Sequence, residues 1–593
     1  TIASGTAGTD DATVIQAAID EFINGGHIYI KSGEYYITKE LMIHTGKNIT
    51  ISGGSNTILY RDFNPDLPGA GSDRFWIRTS ENITIYGVTF IRRDTYGPIV
   101  TANLGVDIMG SQNVAICECK FSGFSTAISM KSHPFSGKTS DNIRIENNRI
   151  SEYTSAGVSI NNGCNHVTVR GNEIFNGIRP QDGNPILYGI ATSTIGAWDQ
   201  TNPGYQNIII DNNYIHDQEI WTGISLHGGD NCWITNNRIH NVGFSPDAEG
   251  GIGIAAHNIC DPTIEPGDPV GNNHNWVISG NVISDTKTGI DVYNDHSGSN
   301  LTGVSIVNNA ITNVVQRGIY VRVGSERENS TLSNVIVANN TLDGCTGTHV
   351  LTRGIHIGSD VPPGSHIYNA VVTNNTIAKE RAQSDYEIGI VVGPEVDVNV
   401  IGNAIRNTRV SGIRMMGISG SRSIVNIIGN VVYSDEIAIS LGTYGSSIGS
   451  SIQTVRENVL VGGTTGIHVT KTALDSEDSA VVISNNWIAP CAIPISNAPV
   501  EPGYYPPIIR GNVGYATESF GNATLESGST SITVPHKIGD SRRPRVPTSI
   551  TVTPGALGSA TKWWISNITT TDFKINVDAD PGQDVTFYWR AEV

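Results

Sequence analysis

A chain of 593 residues exceeds one ordinary hydrophobic core, so it is either several domains or an array of repeats. Charged residues make up only 16% and glycines number 66, a composition of short strands and tight turns rather than helices. The formal net charge of −18 excludes a basic nucleic-acid surface, and it argues against a strongly polyanionic substrate unless a local Arg/Lys patch overrides the total.

No run of about 18 apolar residues exists, so no membrane span is predicted. No signal peptide is visible, and the chain begins at Thr1 rather than Met, which leaves open an N-terminal piece either missing from this sequence or removed by processing. Seven scattered cysteines, without CxxC spacing, read as free and mostly buried thiols.

In chain order, Thr9-Asp10-Asp11 can cap a helix whose apolar positions are Val14, Ile15, Ala18, Ile19 and Phe22. Asn24-Gly25-Gly26 should stop it. Alternating strands follow at His27–Lys31 and Glu34–Thr38, joined by a Ser32-Gly33 turn. The stretch TDDATVIQAAIDEFINGGHIYIKSGEYYIT resembles the opening of the pectate-lyase-like right-handed β-helix proteins, the phage tailspikes especially. The resemblance implies an all-β, right-handed parallel β-helix whose N-terminal helix hides the edge of the first rung. It implies nothing about chemistry, because neither the aspartate-rich strands of polygalacturonases nor the calcium-binding aspartates of pectate lyases are found.

From about residue 48 to 515 one phrase recurs: an apolar strand, then Asn or Gly, Asn, any residue, and Ile or Val. Its second asparagine falls at 148, 172, 213, 237, 281, 309, 340, 375, 403, 430, 458, 486 and 512. Repeats of this size mean stacked coils. These asparagines read as structural, since Asn tolerates left-handed corners and identical side chains ladder between rungs.

A second phrase carries the candidate chemistry: Gly223–His227, Gly253–His257, Gly289–Tyr293, Gly318–Arg322 and Gly354–Gly358. Strand alternation points Ile224, Ile254, Ile290 and Ile319 one way and their neighbours the other. Stacking in register predicts two outward columns about 4.8 Å apart per step: Ser225, Ala255, Asp291, Tyr320, His356, and His227, His257, Tyr293, Arg322. Two repeat steps, 41 and 44 residues, are long. The Gly/Pro/Asn-rich insertions, about 194–206 and 258–275, leave this face and are expected to bound a groove.

After Asn512 the repeat ends, and short alternating strands between Pro/Gly turns predict a small antiparallel sandwich. Its Trp563, Trp564 and Trp589 read as core or subunit contact rather than as a sugar platform. The expected domains are 1–40 (cap and first rung), 41–516 (parallel β-helix) and 517–593 (assembly or binding module).

Hydrolysis of a glycosidic bond needs two carboxyl groups. Asp291 stands mid-strand on the outward face and is the first candidate, with Glu249, Asp295 and Asp247 as possible partners and His257 beside it. An Asn at 291 is expected to leave stability nearly intact, since an outward strand position is not core. Candidate substrate contacts are His227, Tyr293, Tyr320, Arg322, Trp198, Trp221, His356 and Asp230. Acids at turns, Asp230 among them, also read as ordinary solvated residues. A His227/His257/Asp291 metal set is weaker than hydrogen bonding to sugar hydroxyls, so no metal or cofactor is expected.

The expected function is therefore a tailspike-like polysaccharide depolymerase, a glycoside hydrolase with paired carboxylates acting on bacterial surface or other extracellular polysaccharide. The rivals are a lyase using His257, Tyr293 and Arg322 for β-elimination, and a non-catalytic carbohydrate-binding adhesin. A homotrimer at the virion surface or outside the cell is expected, without nucleic-acid or membrane partners.

Overall fold

The computed structural model describes residues 11–593 except 63–73, 94–102, 134, 162, 181–185, 194–205, 246–247, 259–272, 295–297, 324–328, 346–351, 359–364, 379–386, 417–422, 443–450, 462, 471–479, 490, 498–506 and 541–542. The chain divides into two compact units, Thr1–Tyr386 with Glu395–Asp397, and Glu387–Pro394 with Val398–Val593.

The first unit opens on the helix Ala12–Glu21, whose Ile15 and Ile19 are buried against the solenoid. Val14 and Phe22 are exposed instead, so the apolar stripe is narrower than the sequence predicts. Asp11 occupies the N-cap position, but its carboxylate accepts from the Tyr36 N–H at 2.9 Å rather than from the helix. Gln16 exchanges two hydrogen bonds of 2.8 Å with the N–H and C=O of Met42. The helix thereby satisfies backbone groups that an edge strand would leave open, which is the physical reason a solenoid needs a cap.

Among the described residues of this unit the strands pair in parallel. Gly26–Ile30, Lys47–Gly53, Glu81–Tyr86 and Gln112–Cys117 begin one sheet, pairing in the order of successive coils. Two further rows of strands complete each coil. The third strands include Leu104–Met109, Thr126–Lys131, Ala156–Asn161, Tyr188–Ser193, Trp221–His227 and Gly250–Asn258. At Val282–Asn294 and Ala310–Val323 the second and third strands run together as one. Ile or Val residues stack inward from coil to coil, as Val158, Ile190, Ile224, Ile254, Ile290, Ile319 and Ile355 do, all buried.

The Asn phrase divides two tasks between its two positions. The first residue adopts the left-handed conformation, with φ of 57° at Asn147, 54° at Asn212 and 58° at Asn308, and Gly171 and Gly280 take the same place. The second is buried and ladders. Asn281 Nδ2 donates to Asn309 Oδ1 at 2.9 Å and to the Ile234 carbonyl at 2.9 Å, while its backbone N–H donates to the same Asn309 oxygen at 3.0 Å. The pattern runs from Asn148 to Asn340 in this unit and from Asn403 to Asn486 in the second, each asparagine donating to the next. Burial without a partner would cost each group about 1–3 kcal/mol, so the ladder is self-consistent only when complete.

Glycine opens the second phrase for a steric reason. A Cβ on Gly223 would lie 2.8 Å from the Gly253 carbonyl oxygen, one on Gly253 2.7 Å from that of Gly289, and one on Gly289 2.6 Å from that of Gly318.

The second unit contains further parallel coils and two three-stranded antiparallel sheets, one of Glu518–Leu525, Val585–Glu592 and Ser549–Pro554, the other of Ser531–Pro535, Asp572–Val577 and Trp563–Ser566. Phe573, Phe587, Ile575 and Val552 form their core. Trp589 is in that core, edge-on to Phe573, whereas Trp564 is 47% exposed.

Candidate active site

The two outward columns form as the alternation predicts. Ser225 pairs with Ala255, Ala255 with Asp291, Asp291 with Tyr320 and Tyr320 with His356. Beside them His227 pairs with His257, His257 with Tyr293 and Tyr293 with Arg322. A third column, one position before the phrase's glycine, places Thr288 beside Arg317 and Arg317 beside Arg353.

Asp291 is the centre. It is only 3% exposed, so this outward position is buried, contrary to the expectation of a solvated one. Arg322 donates to it through Nη2 at 2.8 Å and Nε at 3.2 Å, a two-point grip. His257 Nε2 stands 3.5 Å from Oδ2, beyond hydrogen-bond distance, and is buried without a hydrogen-bond partner. Burial pushes the Asp291 carboxyl up, but His257 and Arg322 outweigh it and hold the group at about 2. Asp291 is therefore an anion throughout the neutral range.

The remaining groups pack around this ion pair. Arg322 lies 3.9 Å over the Tyr293 ring and 4.8 Å over Tyr320, while Arg317 lies 4.3 Å over Tyr320. Tyr320 stacks on His356 at 4.6 Å, and Arg353 Nη1 meets His356 Nδ1 at 2.8 Å. Burial and then the Arg353, Arg317 and Arg322 charges hold His356 well below its ordinary range. His227 contacts Ser225 Oγ at 2.8 Å, and burial, aided by His257, lowers it to about 3. Both rings are neutral at pH 7. Three arginines thus gather around Tyr320, the register neighbour of Asp291, a cationic island on a chain of net charge −18.

Other predicted site residues lie apart. Glu249 is exposed and precedes the strand Gly250–Asn258, at the end of that strand away from His257. Trp221 is at the same far end, its N–H donating to the Glu249 carbonyl at 2.8 Å. Asp230 begins a strand of another sheet and binds His274. Asp295, Asp247 and Trp198, with nearly all of the two insertions, lie outside the described residues. A cleft of about 420 Å³ opens at the corner leading into Trp221, lined by Arg179, Asp217, Glu219 and Phe244 among others. Its carboxylates are engaged, Asp217 by His216 and Asn241, and Glu219 by the Arg179 N–H. No group of three or more metal-ligating side chains occurs among the described residues.

Sequence reasoning missed Arg317 and Arg353. The signal was an arginine directly before Gly-Ile in two consecutive phrases, Arg317-Gly318-Ile319 and Arg353-Gly354-Ile355.

The model described as "Right handed beta helix region" matches residues 26–202 and 188–336, together more than half of the chain. No curated protein matches. Among solved structures, the surface adhesin PfbA of Streptococcus pneumoniae is similar at 16% identity and a TM-score of 0.46, covering 64% of this chain and 91% of its own. The catalytic domain of a GH87 alpha-1,3-glucanase in complex with nigerose is similar at 18% identity and 0.44, covering 66% and 67%. The catalytic unit of the GH87 alpha-1,3-glucanase from Streptomyces thermodiastaticus strain HF3-3 is similar at 15% and 0.41, covering 76% and 69%.

Proposed function

Since the chain belongs to the right-handed β-helix family, we propose that it is an extracellular polysaccharide depolymerase whose proton-transfer group is His257. The observation that carries this reading is the His257 ring: Nε2 is buried, has no hydrogen-bond partner, and faces a carboxylate locked as an anion by Arg322. A buried imidazole nitrogen held 3.5 Å from a fixed carboxylate is placed to exchange a proton with a substrate.

The arginines favour elimination over hydrolysis. A uronate in the site would bring its carboxylate to the Arg317/Arg322/Arg353 island, which stabilises charge as the proton α to that carboxyl leaves. His257 takes that proton, the bond from the β-carbon to the glycosidic oxygen breaks, and the oxygen leaves with the electron pair. Tyr293, edge-on to His257 with ring centroids 5.6 Å apart, is the candidate donor of a proton to it. The hydrolytic reading with Asp291 as base or nucleophile keeps one supporting observation: the carboxylate is ionised at neutral pH, as that role requires.

Self-association into a trimer and a virion or cell-exterior setting belong to the same proposal. Exposed Ile424 and Ile452, register neighbours on one sheet, and exposed Trp487 and Val513 support an interface between chains.

The test is incubation of the full chain with uronate-containing and neutral polysaccharides, with products read by mass spectrometry and ultraviolet absorbance. Elimination yields an unsaturated uronate. Products heavier by one water indicate hydrolysis instead, and no products from any substrate would sink the depolymerase reading.

A further inference from the structure

The phrase Gly289-Ile290-Asp291-Val292 has a counterpart far earlier, Gly105-Val106-Asp107-Ile108. Register places Asp107 in the same outward column as Asp291, through Ser129, Ser159, Ala191, Ser225 and Ala255. Six steps separate the two aspartates, about 29 Å along the stack. No side chain between them in the column is larger than serine.

Asp107 is 0% exposed, and its Oδ2 lies 3.3 Å from both Arg74 Nη1 and Lys131 Nζ. Trp76 is its register neighbour on the other side, with the Arg74 guanidinium 5.0 Å and the Lys131 ammonium 5.8 Å from the ring centroid. Arg78 lies in the adjacent column, its Nε 2.9 Å from His133 Nε2. Three buried atoms of this group have no hydrogen-bond partner: Asp107 Oδ1, Trp76 Nε1 and Arg74 Nε. One is an acceptor and two are donors. Buried polar atoms are normally satisfied, so three together call for a ligand that both donates and accepts. A sugar hydroxyl does both. Two cationic side chains meet one carboxylate here, and burial pushes the Asp107 carboxyl up against the pull of Lys131 and Arg74. The cationic excess selects an acidic sugar over a neutral one.

We propose that Asp107, Trp76, Arg74 and Lys131 form a second carbohydrate-binding centre, which holds an acidic sugar residue. Lys131, with 32% of its side chain exposed, is the gate through which the ligand reaches the carboxylate. The proposal rests on the reading of this face as a polysaccharide track, but not on His257 chemistry.

The experiment measures binding of polygalacturonate, alginate, hyaluronate and xanthan to the full-length chain by affinity electrophoresis at two salt concentrations. At least one should bind the wild type, less tightly at the higher salt. Trp76→Ala and Lys131→Met should each weaken that binding by about tenfold or more, whereas Val14→Ala, on the exposed face of the capping helix, should bind as the wild type does. Lys131→Met keeps the stem and guards against a folding failure at Trp76. Unchanged affinity in Lys131→Met, or no binding by any of the four polymers, overturns the second centre. Binding lost in these variants without cleavage by the wild type would leave the second centre standing and remove the depolymerase reading. Cleavage with unaltered binding would do the reverse.

Discussion

Asp291 and Arg322 come from neighbouring coils and from different outward columns, yet they meet through two hydrogen bonds of 2.8 and 3.2 Å. The diagonal contact converts two candidate surface residues into one buried, neutralised unit. It also changes what substitution there does.

Asp291→Asn should destabilise the protein by about 2–3 kcal/mol, below or at the low end of what breaking a buried ion pair costs, because Asn keeps an acceptor and Arg322 retains 27% exposure. This replaces the sequence-based expectation of unchanged stability. Denaturant unfolding checks it. A midpoint equal to the wild type would show that Arg322 finds solvent at no cost.

His257→Gln preserves size and polarity and leaves the Asp291–Arg322 pair intact. Turnover should fall by about 10²–10⁴, the usual contribution of a general base, with unfolding unchanged within about 1 kcal/mol. Rates and melting measured on one preparation separate the two effects. Near wild-type turnover would remove His257 from the mechanism.

Acid sensitivity follows from the buried neutral histidines. His227 is held at about 3 in the folded chain against 6.5 for an ordinary histidine. The unfolded chain therefore binds the extra proton first, and stability contributed by the neutral ring is present above pH 6.5 and lost as pH falls toward 3. Asp291 contributes in a lower window, present above about pH 4 and lost as pH falls through about 2. Unfolding free energy measured from pH 7 to pH 4 should thus decline, and His227→Gln should flatten the slope. An unchanged slope in that variant would contradict the assignment.

The two positions of the Asn phrase should respond oppositely. Asn281→Ala removes the acceptor for the Asn237 N–H and Nδ2 and frees the Ile234 carbonyl, so a loss of about 2–4 kcal/mol is expected. Asn308→Gly, at φ 58°, should be within about 0.5 kcal/mol of the wild type, because glycine accepts that conformation freely. Equal losses at both sites would mean that the ladder is not the stabilising feature.

The sequence by itself determined the solenoid, the order of its coils and the membership of each outward column. All three follow from periodicity: side chains alternate along a strand, and the repeated Asn and Gly phrases fix which residues stack. The column from Ser225 to His356 and the one from His227 to Arg322 follow from the repeat of the glycine phrase alone. Tertiary structure decided the depth, pairing and charge state of those residues. Asp291 is buried, and Arg322 reaches it from the adjacent column. Glu249, close to His257 in the chain, lies at the other end of the strand Gly250–Asn258. Register is a property of the sequence pattern, whereas the diagonal reach of a long side chain and the exclusion of water around it exist only once the coils are stacked.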